Sequence, residues 1–190
     1  MSSIGVGLIG TGFMGKAHAL AFAAAASTFD LDCRPHLALL ADADAERART
    51  CAGRWGFARS TGDWRALVAD PEVELVAVAT PNHLHAEMAL AALDAGKAVY
   101  CEKPMATGLA DARRMAERAR GRPTLLGYNY LRGPAVGLMK SMIDAGELGE
   151  IVAFAGVSPR TTWPIRRRRT PGVACGHSQA PGRSATSVRT

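Results

Sequence analysis

The hydrophobic pattern of the chain switches repeatedly between short continuous apolar runs and longer amphipathic segments. Such runs are typical of strands buried on both faces of a parallel sheet, and the segments between them are typical of helices. The strands are predicted at residues 4–9, 36–41, 75–79 and 98–101, with a further strand and its exit at 125–130 and another strand beginning at 151. The helices are predicted at residues 16–26, 43–55, 63–68, 86–95, 109–120 and 135–145. This alternation predicts an α/β fold with a doubly wound parallel sheet.

A glycine-rich sequence joins the first strand to the first helix. It reads Gly10-Thr11-Gly12-Phe13-Met14-Gly15 and matches the GxGxxG pattern of dinucleotide-binding turns. Gly10 allows the tight turn, Gly12 lets a pyrophosphate approach the backbone, and Gly15 lets the helix pack closely on the strand. The helix N-terminus offers free N–H groups and a positive dipole end to the phosphates. An ordinary glycine turn is the alternative, but the strand–turn–helix setting favours a Rossmann domain.

Asp42 ends the second predicted strand. An acidic side chain here can accept hydrogen bonds from the adenosine ribose and repel a 2′-phosphate, so it favours NAD over NADP. The gap between Gly15 and Asp42 is longer than usual, and residues 27–35 are predicted to form an extended loop. Because a helix follows Asp42 directly, a helix N-cap is its alternative role. NAD is the predicted cofactor, with NADP as the alternative.

The sequence Glu102-Lys103-Pro104 follows the apolar run at residues 98–101. It therefore lies at the carboxyl end of a parallel strand, where open α/β sheets bind their ligands. Proline fixes the backbone and removes a donor, so Lys103 is predicted to be held at a sharp exit from the strand. A solvated lysine in a surface turn is the alternative.

The composition predicts a globular protein, because 48% of the residues are apolar. The length of 190 residues predicts one full domain and part of another. The expected divisions are a Rossmann domain at 1–122, its last strand and the start of a second domain at 123–157, and a disordered arginine-rich tail at 158–190. No apolar stretch reaches the length of a membrane span and no signal-peptide pattern is visible, so we expect a cytoplasmic protein without a membrane partner. The scattered cysteines predict reduced, mostly structural thiols.

The positive charge of the chain comes from its tail. Of 23 basic residues, seven arginines lie after residue 157, where no acidic residue occurs; the preceding part carries one more acidic than basic residue. A nucleic-acid or localisation patch at Arg166-Arg167-Arg168-Arg169 is one interpretation of this cluster. We expect instead that the cluster binds no nucleic acid, for the reason given below.

Four signatures occur in a fixed order that resembles the Gfo/Idh/MocA oxidoreductases, and the resemblance covers residues 4–157. They are the glycine fingerprint, Thr80-Pro81-Asn82-His83-Leu84-His85, Cys101-Glu102-Lys103-Pro104 and Gly127-Tyr128-Asn129-Tyr130. The resemblance implies an enzyme that transfers hydride between NAD or NADP and a secondary alcohol of a sugar or cyclitol. Besides the fingerprint and Asp42, the residues that it places along the cofactor are Thr80, Pro81, Asn82, His85, Glu102, Lys103 and Asn129.

Lys103 is the catalytic residue that the resemblance implies. An ammonium group beside the reacting hydroxyl can lower the pKa of the alcohol and join a proton relay. His83 and His85 are not expected to bind a metal, because no third histidine or matching carboxylate accompanies them. Tyr128 could equally be a packed core aromatic.

The chain departs from the family pattern after Gly156. The family continues into a second α/β domain, which carries substrate residues, the dimer face and a motif Gly-Gly-x-x-x-Asp-x-Gly-x-His. The codons of residues 179–190 can also be read in a shifted frame, which joins the third base of each codon to the first two bases of the next. In that frame they permit the sequence Gly-Thr-Gly-Ala-Leu-Gly-Asp-Leu-Gly-Ala-His. We therefore expect residues from about Val157 onward to be a frameshift product. The DNA sequence of this region tests the idea, and stop codons or nonsense soon after Thr190 in the shifted frame would contradict it.

This chain is accordingly expected to bind cofactor with little turnover, to expose apolar surface, and to form a homo-oligomer only in its full-length form. A non-catalytic NAD-sensing protein is the alternative function, and NAD binding without turnover of a polyol would distinguish it. The third hypothesis is a nucleic-acid-binding protein with a basic tail, and it predicts that the affinity for nucleic acid falls steeply as the salt concentration rises.

Overall fold

A computed structural model describes residues 2–153 of the chain. The strands are β1 Ser2–Ile9, β2 Cys33–Ala41, β3 Arg59–Thr61, β4 Leu75–Val78, β5 Ala98–Cys101 and β6 Thr124–Leu126. The helices are α1 Phe13–Thr28, α2 Ala45–Trp55, α3 Trp64–Ala69, α4 His85–Asp94, α5 Leu109–Arg118 and α6 Pro134–Asp144. Met1–Glu147 form one compact unit, which contains all of these elements.

The six strands form one parallel sheet in the order β3-β2-β1-β4-β5-β6. This is the strand order of the Rossmann fold, in which the chain winds outward in both directions from the first strand. The direction of winding reverses between β1 and β4, so the loops after these two strands diverge and leave a crevice at their carboxyl ends. The predicted fold class is confirmed.

The core has two layers, one on each face of the sheet, because successive side chains of a strand point to opposite faces. In β1, Val6 and Leu8 belong to the layer that α1 and α2 cover, while Ile9 belongs to the other layer. In β4, Val76 and Val78 lie in the layer under α3, α4 and α5, and Ala77 lies opposite. Burial of both faces explains why these strands are continuous apolar runs in the sequence.

The structure differs from the sequence prediction in three elements. β3 was not predicted, since its three residues, Arg59–Thr61, form an edge strand without an apolar run. The extended loop predicted at 27–35 is wrong, because α1 runs to Thr28 and β2 already begins at Cys33. Residues 151–153 form no strand. The rest of the strand predicted from Ile151, and the arginine-rich tail, lie outside the described residues.

Among residues 2–153, most of the large exposed apolar side chains lie after residue 124. In the compact unit they include Leu125, Tyr128, Tyr130, Leu131, Val136, Leu138, Met139 and Ile143. Tyr128 is 49% exposed, so it is not a core aromatic in the described structure. Cys33, Cys51 and Cys101 are free thiols. Between residues 2 and 153, no helix combines the length and apolar character that a bilayer span requires.

Candidate functional site

A cavity of about 640 Å³ lies at the carboxyl ends of β1, β2, β4 and β5, where the winding of the sheet reverses. Its volume is within the range of small-molecule and cofactor sites. Of the sequence-predicted site residues, those that line it are Gly10, Thr11, Gly12, Phe13, Met14, Asp42, Thr80, Pro81, Asn82, His85, Glu102 and Lys103. The fold therefore brings together Asp42 and residues from three of the four signatures.

The fingerprint glycines occupy three different environments. Gly10 has a φ of +106°, and a Cβ there would lie 2.6 Å from the carbonyl oxygen of Ala79, so the turn requires glycine. A Cβ on Gly15 would lie 2.0 Å from the carbonyl oxygen of Gly10, which makes Gly15 the contact between helix and turn. A Cβ on Gly12 would meet no atom within 4 Å. Gly12 is thus free to serve a ligand, whereas the other two glycines are needed by the fold.

The N-terminus of α1 borders the cavity. Gly12 is its N-cap, and neither a capping side chain nor an acidic residue of the first turn satisfies its N–H groups within the described chain. The first N–H groups of a helix have no partner inside the helix and carry the positive end of its dipole. With Gly12, Phe13 and Met14 in the lining, this end of the helix can bind an anionic group such as a pyrophosphate.

Asp42 follows β2 and is bound by four donors. Its Oδ2 accepts hydrogen bonds from the backbone N–H of Thr11 at 2.9 Å and from the Thr11 hydroxyl at 2.5 Å. Its Oδ1 accepts hydrogen bonds from the backbone N–H of Asp44 at 3.1 Å and from Nη2 of Arg47 at 2.7 Å. The N-cap of α2 is Asp44 and not Asp42. The N-cap alternative for Asp42 is therefore wrong, and its carboxylate instead joins the fingerprint turn to α2.

This network controls the ionisation of Asp42. Burial alone would raise the pKa of the carboxyl, but hydrogen bonds from the side chains of Thr11 and Arg47 and from two backbone N–H groups outweigh it. They lower the pKa of Asp42 to about 2. The side chain is 8% exposed, so the site contains a buried carboxylate that stays charged at neutral pH.

Lys103 lies in a turn that two neighbouring residues hold in place. Its backbone N–H donates to Oε2 of Glu102 at 3.1 Å, and the peptide bond to Pro104 is cis. The buried ring of His85 lies between two carbonyl oxygens, with Nδ1 2.7 Å from that of Pro104 and Nε2 3.0 Å from that of Thr80. A ring protonated at both nitrogens donates both bonds, and a neutral ring donates one. His85 therefore connects the exits of β4 and β5, and neither ring nitrogen is left free for a metal.

Glu102 forms a buried pair with His18 of α1. Nε2 of His18 donates to Oε1 of Glu102 at 2.7 Å, and both residues are less than a tenth exposed. The ring of His18 also packs edge-on against Tyr100, with 4.7 Å between the ring centroids. A Cβ on Gly127 would lie 2.9 Å from the carboxyl atoms of Glu102. The carboxylate below Lys103 is thus enclosed by α1, β5 and the exit of β6.

Two predicted site residues do not line the cavity. Gly15 is buried against Gly10, in the packing role that was predicted for it. Asn129 accepts a hydrogen bond from the Tyr100 hydroxyl at 3.3 Å. The structure therefore does not bring Asn129 to the cofactor crevice.

Sequence reasoning missed several residues of the site. Arg47, Trp64 and Met88 line the cavity, and His18 supports it from below. Arg47 lies on the first turn of α2, close after Asp42, which was a usable signal. The signal for His18 was only that it is a histidine in a helix made mostly of apolar residues.

Comparison with known proteins is consistent with this geometry. The family model of the Gfo/Idh/MocA oxidoreductases, described as an oxidoreductase family with an NAD-binding Rossmann fold, matches residues 4–130. The chain belongs to this family. The family resemblance and the NAD-binding Rossmann domain predicted from the sequence are thereby confirmed.

Individual relatives in the family include sugar and cyclitol dehydrogenases. A levoglucosan dehydrogenase from Pseudarthrobacter phenanthrenivorans is 44% identical over 159 residues, which are 82% of this chain and 41% of that protein. An inositol 2-dehydrogenase from Gluconacetobacter diazotrophicus is 36% identical over 154 residues, 79% of this chain and 44% of that protein.

Solved structures of the family superpose on the same part of the chain. An NAD binding oxidoreductase from Klebsiella pneumoniae has a TM-score of 0.76 at 47% identity, covering 78% of this chain and 40% of that one. Levoglucosan dehydrogenase in complex with NADH and levoglucosan has a TM-score of 0.74 at 44% identity, covering 78% of this chain and 41% of that one. The chain thus spans about two-fifths of the length of these relatives.

Asp42 is expected to contribute pH-dependent stability. Because folding lowers its pKa from 3.8 to about 2, the contribution is fully present above the higher value and is lost as the pH falls through the lower one. It amounts to at most about 2.5 kcal/mol, and to less where water screens the carboxylate. The free energy of unfolding of the wild type and of Asp42→Asn, from urea denaturation, should therefore differ less at about pH 2 than at about pH 5. A constant difference would contradict the network.

Gly127→Ala should destabilise the domain by about 1–3 kcal/mol, because the new Cβ must displace a buried carboxylate that is bonded to His18. Gly53→Ala is the matched control, since Gly53 lies exposed within α2 and a Cβ there meets no atom within 4 Å. Alanine should leave that helix unchanged or stabilise it by up to about 1 kcal/mol. Thermal or urea denaturation provides the comparison, and equal stability of Gly127→Ala and wild type would disprove the enclosure of Glu102.

Proposed function

We propose that this protein is a dehydrogenase that transfers hydride between NAD and a secondary alcohol of a sugar or cyclitol. The observation that carries the proposal is that Lys103 lines the same crevice as the fingerprint turn and Asp42. A lysine so placed can act on a hydroxyl beside the nicotinamide end of a dinucleotide. Relatives named for levoglucosan and for inositol favour a polyhydroxylated substrate.

The residues present fit a dinucleotide. The open position at Gly12 and the free N–H groups of α1 suit a pyrophosphate, and the charged Asp42 suits the hydroxyls of a ribose. Thr80, Pro81 and Asn82, after β4, would line the path toward the nicotinamide. Glu102 and Lys103, after β5, would lie at its far end. This order follows the sheet from β2 across β1 to β5, the direction in which the crevice runs.

When bound, the nicotinamide cofactor supplies the hydride acceptor or donor. The ammonium of Lys103 would stabilise negative charge on the alcohol oxygen during oxidation and would donate a proton to it during reduction. The backbone of the turn that carries Lys103 is held by the bond from its N–H to Glu102 and by the contact between His85 and the carbonyl of Pro104. The resemblance assigns the remaining acid/base groups to an aspartate and a histidine of the second-domain motif.

Lys103→Met should separate binding from chemistry. The change removes the ammonium group but keeps an unbranched side chain, so the NADH dissociation constant should stay within about threefold of the wild-type value while kcat falls by about 100-fold or more. Lys140→Met is the matched control, since Lys140 lies exposed on α6 and pairs with Asp144. Titration calorimetry gives binding, and absorbance of NADH with a panel including levoglucosan and inositol gives turnover.

The turnover assay uses the 190-residue chain and, if the DNA confirms the frameshift, the product of the repaired reading frame. Turnover of Lys103→Met at the wild-type rate would rule out the role of Lys103. Tight NADH binding without turnover of any polyol by the repaired protein would instead support an NAD-sensing protein.

A further inference from the structure

Both oxygens of the Glu102 carboxylate are bound, and the two donors come from different parts of the chain. Nε2 of His18, on α1, donates to Oε1 at 2.7 Å. The backbone N–H of Lys103 donates to Oε2 at 3.1 Å. The side chain of Glu102 is only 6% exposed, and the backbone of Gly127 lies against its carboxyl atoms. The carboxylate is therefore held on the backbone of the turn that carries Lys103.

The ammonium of Lys103 is left without a carboxylate partner by this arrangement. Lys103 is exposed and lines the crevice. Within residues 2–153 its Nζ forms neither a hydrogen bond nor an ion pair, although the residue directly before it is a glutamate. The other carboxylate that lines the crevice, Asp42, is paired with Arg47. An ammonium that no carboxylate neutralises can act on a hydroxyl with its full charge.

His18 is the residue on which this separation depends. Among the described residues, it supplies the one side-chain donor to Glu102. Its ring is held by packing edge-on against Tyr100, with 4.7 Å between the ring centroids. A buried carboxylate that loses a donor is costly, so without His18 it would take another partner. The ammonium of Lys103, on a flexible four-carbon stem, is the adjacent cation.

We propose that His18 is a positioning residue for Lys103. By binding Oε1, it keeps the Glu102 carboxylate on the backbone of the turn and prevents an ion pair between that carboxylate and the ammonium of the next residue. The ammonium thereby stays available to the hydroxyl of a substrate. The consequence for catalysis rests on the proposed function, whereas the contact itself can be tested in the chain without a cofactor.

The test measures how fast acetic anhydride acylates the amine of Lys103 in the 190-residue chain at one fixed pH. Only the unprotonated amine reacts, and a neighbouring carboxylate stabilises the protonated form. His18→Leu should therefore slow acylation of Lys103 by about two- to fivefold relative to Lys140 in the same sample. Mass spectrometry of the digested protein gives both rates. Lys140 is the internal reference, because it lies on α6 and pairs with Asp144.

Three further variants separate the contact from a general effect on the fold. His18→Gln keeps an N–H donor at about the reach of Nε2, so Lys103 should be acylated at the wild-type rate. His18→Asn carries the same amide on a side chain one methylene shorter, so the rate should fall as it does in His18→Leu. Adding Glu102→Gln to His18→Leu removes the negative charge and should restore the wild-type rate.

Circular dichroism shows which variants fold, and His18→Asn takes the place of His18→Leu if leucine prevents folding. A wild-type rate in the folded variant, an equally slow rate in His18→Gln, or a slow rate that persists after Glu102→Gln is added would overturn the role of His18. These results would leave the proposed function standing, because the labelling involves no cofactor. Failure of the wild type to bind NADH would instead overturn the proposed function and leave the contact between His18 and Glu102 intact.

Discussion

The backbone turn at Gly10 brings three strands and a helix together at one point. Its N–H donates to the carbonyl oxygen of Ala41 at the end of β2, at 2.8 Å. Its Cα lies against the carbonyl of Ala79 after β4, and its own carbonyl lies against Gly15 of α1. Any side chain larger than hydrogen at this position would force the neighbouring backbone to move. The position of the α1 N-terminus over the crevice depends on this turn, and so does the anion site that this terminus forms.

Two histidines extend this arrangement to Lys103. His18 links α1 to the carboxylate of Glu102, and His85 links the exit of β4 to the carbonyl of Pro104. The lysine turn is therefore attached on one side to the helix that begins at the fingerprint and on the other to the strand beside it. The contacts of His18 and His85 thus connect the anion site at the N-terminus of α1 to the turn that carries Lys103.

The sequence predicted the elements whose burial leaves a local pattern. β1 and β4 are continuous apolar runs because both faces are covered, and the glycines of the fingerprint are separated by the spacing that the turn demands. β3 left no such pattern, because three residues at a sheet edge need no apolar run. Arg47 left only a weak signal, its position shortly after Asp42, because an arginine on an exposed helix face is usually solvated.

Contacts between distant residues were the other part that the sequence could not supply. His18 and Glu102 are separated by 84 positions, and no spacing rule relates them. Asn129 is a second example, because a family signature places it along the cofactor and the structure shows its side chain bonded to Tyr100, 29 positions earlier. Sequence signatures identify candidate site residues, and the order of the strands in the sheet decides which of those residues lie next to one another.

The central claim is that the crevice above Gly12 binds the pyrophosphate of a nicotinamide dinucleotide, and an NADH titration of Gly12→Ala tests it most directly. The new methyl group meets no protein atom within 4 Å and the backbone φ of −68° suits alanine, so the fold should be retained. Gly108→Ala is the control, because Gly108 is also a helix N-cap without neighbours within 4 Å of a Cβ. The account predicts that Gly12→Ala weakens NADH binding by at least about tenfold while Gly108→Ala binds as the wild type does. Equal NADH affinity for Gly12→Ala and wild type would contradict it.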